Sequence, residues 1–443
     1  MSRKVLCFAV VLAIILSLAA CTPAAEKQVE QTKAVDPQAA SEAPKEAEKK
    51  DVTLKLWSQW ASDADGMKKP LDKVLEDWKT ANPNIKIEMD VINTDAYKAK
   101  VKVASAANEL PDIFFSWGGG FAKPFVNANM VLQLDPYLND GTKDKLVSQT
   151  LNNFTYDGKT YGLPMYMWLG VLYCNKDLFD KNGVKIPDTY DELLTAVKAL
   201  NVKGITPFAV GEKELWPGMF FQNALALRTV GIDGCVKALS KEASFDTPEF
   251  KDSAAKLEEL VKTGAFAKGC MGVDELEAEA TFTQGKAAMI YMGDWAAASF
   301  EKDDSPVKGK IVAKNFPALE GAKDNGAFLG GAIDTFMVSA KTKNKEESVQ
   351  TLEYICENLG KEGYLAGAAI PSWKVQVDAA KINPLTSQIT QLSQGSAGFM
   401  LAWDTFLEGA DADTELNAVA KIFGGKSTPD EFVKELQKIN GEK

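Results

Sequence analysis

Histidine is absent from the 443 residues, and arginine occurs only at Arg3 and Arg228. Without an imidazole there is no Ser-His-Asp triad, no Cys-His dyad and no HExxH zinc site, so no metal site of that kind is expected. Any catalytic reading must rest on carboxylates, lysine, tyrosine or thiols. Scarce arginine also argues against a cleft built for an anion, because guanidinium groups are the usual fork-shaped partners of phosphate and carboxylate. Positive charge is in deficit overall: 50 basic residues face 61 acidic ones, and the formal charge of -11 argues against nucleic acid as a partner.

Long apolar runs are lacking too. The longest, Val5 to Leu18, is too short for a comfortable membrane span, but behind Arg3 and Lys4 it suits the middle of a secretory signal. It ends in Leu18-Ala19-Ala20-Cys21, which resembles the lipobox of bacterial lipoproteins, where the cysteine thiol is lipidated before cleavage. Residues 1–20 are therefore expected to be a signal peptide and Cys21 the lipidation site. Acyl chains gain roughly 0.8 kcal/mol per buried methylene, enough in combination to hold a protein at a membrane without a spanning helix. Residues 22–50 contain no aromatic residue and are rich in Ala, Glu, Lys, Gln and Pro, so 21–50 reads as a lipidated cysteine followed by a flexible tether.

With 46% hydrophobic and 25% charged residues the remainder has globular composition, and its length calls for two domains. Val52, Leu54 and Leu56 alternate along a strand, and Leu71, Val74, Leu75 and Trp78 fall at helical spacing. Further strands are expected at Ile85 to Val91, Ile113 to Phe115, Val171 to Cys174, Ala287 to Met292 and Ile333 to Val338, with a helix from about Asp95 to Ala107. Helix starts are expected at Thr189-Tyr190-Asp191-Glu192, a capping box, and at Thr247-Pro248 and Thr428-Pro429, where proline takes the first helical position. Strands alternating with helices imply α/β architecture with mostly parallel sheets. Cys235 and Cys270 each follow a glycine in loop-like sequence. A disulfide between them and four reduced thiols are both compatible with the pattern.

Several stretches occur together in one order. They are Leu56-Trp57-Ser58, Asn82-Pro83-Asn84-Ile85, Pro111-Asp112-Ile113-Phe114, Asp157-Gly158-Lys159-Thr160-Tyr161-Gly162-Leu163-Pro164, Leu172-Tyr173-Cys174-Asn175-Lys176-Asp177, Phe282-Thr283-Gln284-Gly285-Lys286-Ala287-Ala288-Met289 and Gly293-Asp294-Trp295. In this order they resemble the family 1 extracellular solute-binding proteins, receptors of carbohydrate ABC importers that are similar in fold to maltose-binding protein. The resemblance implies a periplasmic-binding-protein-like α/β fold of two discontinuous lobes with a cleft and hinge. Residues 51–166 with 316–360 would form the N-terminal lobe, and 167–315 with 361–443 the C-terminal lobe. Crossings are expected near Leu163 to Leu169, Lys310 to Pro317 and Leu359 to Leu365.

The function so implied is that of a substrate-binding lipoprotein at the bacterial cell membrane, facing the periplasm or extracellular space. It would capture a mono- or oligosaccharide by lobe closure and deliver it to the transmembrane permease subunits, without catalysis or cofactor. Two alternatives stay open: a secreted glycoside hydrolase working through two carboxylates, and the same receptor with a non-sugar solute.

Sugars present C–H faces and a rim of hydroxyls, so a receptor needs flat aromatics and polar groups at the edges. Nine tryptophans supply the first requirement. Trp57 and Trp78 read as structural. Trp60 and Trp117 follow strands and would emerge at their carboxyl ends, where open α/β sheets bind ligands. Trp168 lies in a crossing segment, and Trp216, Trp295 and Trp403 stand where the resemblance places aromatic platforms of the second lobe. Trp373 is a further candidate. For hydroxyl contacts the candidates are Gln59, Asp294, Asp334 and Asp404, with Asp63 and Asp65 behind them. Gly118-Gly119-Gly120 lacks the lysine-serine pair and the spacing of a phosphate loop, and reads as a place of close backbone approach.

Overall fold

The computed structural model describes residues 50–147 and 150–441; the expected signal segment, Cys21 and most of the tether lie outside them. Val52–Ser58 forms the first strand because its alternation buries Val52, Leu54 and Leu56 while Lys55 faces out. It pairs in parallel with Ile85–Val91 on one side and Ile113–Trp117 on the other. The helix Lys68–Ala81 buries Leu71, Val74 and Trp78, the stripe read from its spacing. A second helix, Thr94–Ala107, starts at Asn93, whose side chain accepts the Ala96 N–H. Thr189, Thr247 and Thr428 all cap helices as expected, and Thr428 with Glu431 closes a full reciprocal box. At Thr189 the box is only half made, because Glu192 reaches the Asp188 N–H instead.

Two sheets result. The first runs Ile85–Val91, Val52–Ser58, Ile113–Trp117, Asp334–Val338, Leu163–Pro164. The second runs Gly398–Met400, Ala327–Gly331, Tyr166–Asn175, Ala287–Gly293, Thr206–Ala209, with Ile311–Lys314 and Ile370–Pro371 also on the long strand Tyr166–Asn175. Both are mixed rather than mostly parallel: Asp334–Val338 is antiparallel to both its neighbours, and four strands run antiparallel to the long one. Every antiparallel pair in these two sheets includes Tyr166–Asn175 or Asp334–Val338, the strands that enter one sheet directly from a strand of the other without a helical crossover.

The first passage is at Met165, between Leu163–Pro164 and Tyr166–Asn175, inside the expected segment. The second falls at Ala332-Ile333, between Ala327–Gly331 and Asp334–Val338. Lys310 to Pro317, expected as a crossing, instead holds Ile311–Lys314, an ordinary strand of the second sheet. A third change of side follows the helix Lys345–Ala366 at Gly367, whose positive φ of 80° ends that helix before Ile370–Pro371 joins the long strand. Leu359 to Leu365 is thus helix rather than connection.

No bridge joins Cys235 and Cys270; both are free and buried, as are Cys174 and Cys356. Cys235 does not sit in a loop but on the inner face of the helix Gly231–Leu239. Among the described residues no helix is long and apolar enough to cross a membrane.

Candidate functional site

A cleft with about 830 Å3 of non-atom space, part of it open solvent, is lined by residues attached to both sheets. Trp60 and Trp117 come from the carboxyl ends of neighbouring first-sheet strands, as their positions in sequence foretell. Both are locked edge-on against Phe115, with ring centroids 5.1 and 4.8 Å away. Phe336 lies 6.3 Å from Trp60 and Phe121 lies 4.9 Å from Trp117.

From the second sheet come Trp168 on the long strand, Trp216 and Phe220 one turn apart on the helix Trp216–Thr229, and Trp295 just after Ala287–Gly293. Trp295 lies 5.6 Å from Trp168 and 6.2 Å from Trp216. A glycine is required beneath it: a Cβ on Gly293 would fall 1.9 Å from the Trp295 ring. Gly330 is equally constrained, with φ of 137° and its would-be Cβ 2.1 Å from the Trp168 carbonyl oxygen. That close approach seats Ala327–Gly331 against the start of the long strand.

The charged lining is mostly acidic, four carboxyl groups against one ammonium. Gln59, Asp65, Glu275, Asp334 and Asp404 face the cleft with Lys98 and Tyr166. Gln59 is buried and its Oε1 has no hydrogen-bond partner. Burial pushes the Asp334 carboxyl up to about 7, although the Tyr166 hydroxyl, donating to it, and nearby Lys98 pull the other way. Burial likewise holds Glu275 at about 7, against hydrogen bonds with Glu279 and the Trp295 indole N–H, which donates to its Oε1 over 3.4 Å. Lys98 Nζ lies 3.4 Å from Asp404 Oδ2 and 5.0 Å from the centre of the Trp117 ring.

Of the residues singled out in sequence, Gln59, Trp60, Trp117, Trp168, Trp216, Trp295, Asp334 and Asp404 are brought together here. Trp403 is not. It is wholly buried, 5.9 Å from both Phe245 and Phe250, and its backbone N–H donates to Asn223 Oδ1 at 2.9 Å, while its indole N–H has no partner. Its neighbours Ala402, Asp404 and Thr405 face the cleft, because a short turn aims successive side chains in different directions. Asp294 is not a lining residue either; its Oδ1 accepts the Leu169 N–H at 2.9 Å and burial raises its carboxyl to about 8. It ties the turn under Trp295 to the long strand. Trp373 is buried and donates to the Pro164 carbonyl at 2.6 Å, and Asp63 is exposed outside the lining.

Sequence reasoning missed Lys98, Tyr166, Phe220 and Glu275 and ranked Asp65 low. Phe220 was legible as the helical i+4 neighbour of Trp216. Glu275 was hidden because the Asp274–Glu277 capping box reads as a helix start and nothing more.

Residues 60–357 match the family model described as bacterial extracellular solute-binding protein. The chain belongs to that family. The multiple sugar-binding protein of Streptococcus mutans is 26% identical over 321 residues, which cover 69% of this chain and 71% of that protein. Among solved structures, one from a study of xylan utilization by the thermophilic bacterium Caldanaerobius polysaccharolyticus superposes with a TM-score of 0.85 at 45% identity, covering 87% of this chain and 99% of its own. A chitin oligosaccharide binding protein gives 0.81 at 27% identity, over 88% and 98%. Extracellular solute-binding proteins are receptors rather than enzymes, and this one shares the two-lobed α/β fold of its neighbours.

Proposed function

We propose that this extracellular solute-binding protein is the lipid-anchored receptor of a carbohydrate ABC importer, and that its cargo is a neutral oligosaccharide of the xylan type. The observation that carries the reading is the convergence of five indoles, two from one sheet and three attached to the other, on one cleft rimmed by hydrogen-bonding groups. Flat rings match the C–H faces of pyranoses, and carboxylates with Gln59 accept from the hydroxyls. The xylan class is supported by the 45% identity to the protein from the xylan-utilization study.

Binding stabilises the closed arrangement only by the ligand's preference for closed over open, so contacts from both lobes are what give it leverage. Lobe boundaries in this reading follow the sheets, with passages at Met165, Ala332-Ile333 and Gly367. Cys21 anchors the protein outside the membrane, and no turnover accompanies binding; aryl glycosides remain intact on incubation.

A thermal-shift and calorimetric panel of xylo-, chito- and malto-oligosaccharides tests the proposal. Ligand at about a hundredfold excess over its dissociation constant adds about 2.7 kcal/mol of stability. A panel in which no neutral oligosaccharide raises the melting temperature rejects the carbohydrate assignment.

A further inference from the structure

We propose that the cleft filters oligosaccharides by charge, admitting neutral chains and rejecting those that carry a uronic acid. The inference rests on the carbohydrate reading above and adds a selection rule to it. Among the described residues, four carboxyl groups line the cleft, Asp65, Glu275, Asp334 and Asp404, against one ammonium, Lys98, which already pairs with Asp404 at 3.4 Å. A fifth carboxyl, Glu279, is 5% exposed behind Glu275, hydrogen-bonded to it, and has a buried Oε1 without a partner.

The described arginine is committed elsewhere. Arg228 is buried, and its guanidinium donates to the carbonyls of Asp324, Ala327 and Phe316 and to Asn315 Oδ1. Hydroxyls can donate to every one of these cleft carboxylates. A uronate carboxylate cannot: it only accepts, and the single cation it could meet, Lys98, is already partly neutralised by Asp404, while like charges surround it. Repulsion between charges several ångströms apart in a half-shielded cleft weakens binding by about tenfold or more. It follows that uronosyl branches must be removed by hydrolysis before capture, outside the cell.

The test is calorimetric titration of the full chain at about pH 8, where Glu275 and Asp334, both near 7, are ionised. The probes are xylotetraose, the same chain with one glucuronosyl branch, and that branched chain after chemical reduction of its carboxyl group to an alcohol. Reduction removes the charge and keeps the size. The expected result is that the acid binds about tenfold or more weakly than its reduced form, with a gap that narrows in high salt and in Glu275→Gln or Asp65→Asn. Equal affinity of acid and reduced form overturns the filter. So does failure of both to bind while xylotetraose binds, since size alone then excludes the branch. If no neutral chain binds, the carbohydrate reading fails and the filter with it.

Discussion

Trp168 stacks on Phe220 with ring centroids 5.1 Å apart and planes only 12° from parallel. The pair joins the long strand, where it leaves the passage at Met165, to the helix Trp216–Thr229. Phe220 thus backs the indole face opposite the one it can offer to a sugar. Trp168→Ala is expected to lower affinity by about 2 kcal/mol, roughly thirtyfold, and Phe220→Leu by less, in calorimetry with the oligosaccharide that the panel identifies. Unchanged affinity in a folded Trp168→Ala protein removes this platform from the site.

Trp403 gives the opposite signature. Packed against Phe245 and Phe250 and fully buried, it acts on stability, so Trp403→Ala is expected to lose about 3 to 5 kcal/mol in urea unfolding. Trp403→Phe, which keeps most of the packing, should retain near-native affinity. A large affinity loss in that milder variant contradicts the placement.

Asp294 makes stability depend on pH. Its folded value, raised by burial to about 8, exceeds the unfolded value of about 3.9, so the native state binds more protons between the two. Its contribution is therefore intact at low pH and is lost as pH rises toward about 8. Asp294→Asn retains an acceptor for the Leu169 N–H and is expected to flatten this fall, adding stability on the order of a few kcal/mol at about pH 8 and little at about pH 4. Denaturation midpoints across that range check it; identical slopes for the two proteins refute the assignment.

The thiols offer a chemical check. Cys174, Cys235, Cys270 and Cys356 are buried, and burial lifts Cys174 and Cys356 to about 12, far from the reactive thiolate. Alkylation without reductant is expected to spare all four in the native protein and to label all four after unfolding, as read by mass spectrometry. Persistent protection of Cys235 and Cys270 in the unfolded chain means that they are bridged.

Much of the site was legible because its aromatic half depends on local position. Trp60 and Trp117 follow apolar strands, and an indole at the carboxyl end of a strand points into the ligand edge of an α/β sheet. What failed depends on direction or on distant partners. Whether Trp403 or Asp404 faces the cleft is decided by the set of one short turn, and a sequence weighs both alike. Asp294 next to Trp295 looks like a hydroxyl acceptor until the Leu169 amide, 125 positions away in sequence, takes it. The second passage was misplaced for a related reason: Lys310 to Pro317 was read as a crossing, and only pairing with Tyr166–Asn175 assigns both Ile311–Lys314 and Ala327–Gly331 to the second sheet. Gly330-Gly331 marked the true passage, since both residues have φ near 135°.

Tyr166, Trp168 and Asp334 belong to strands that carry the backbone from one half of the molecule to the other, and Asp334 lies directly across from Trp117 in the sheet. Grip and pivot are therefore made of the same stretch of polypeptide. A lineage that swaps these side chains to accept a new sugar also resets how easily the jaws swing, so a change of diet and a change of mechanical stiffness are inherited together.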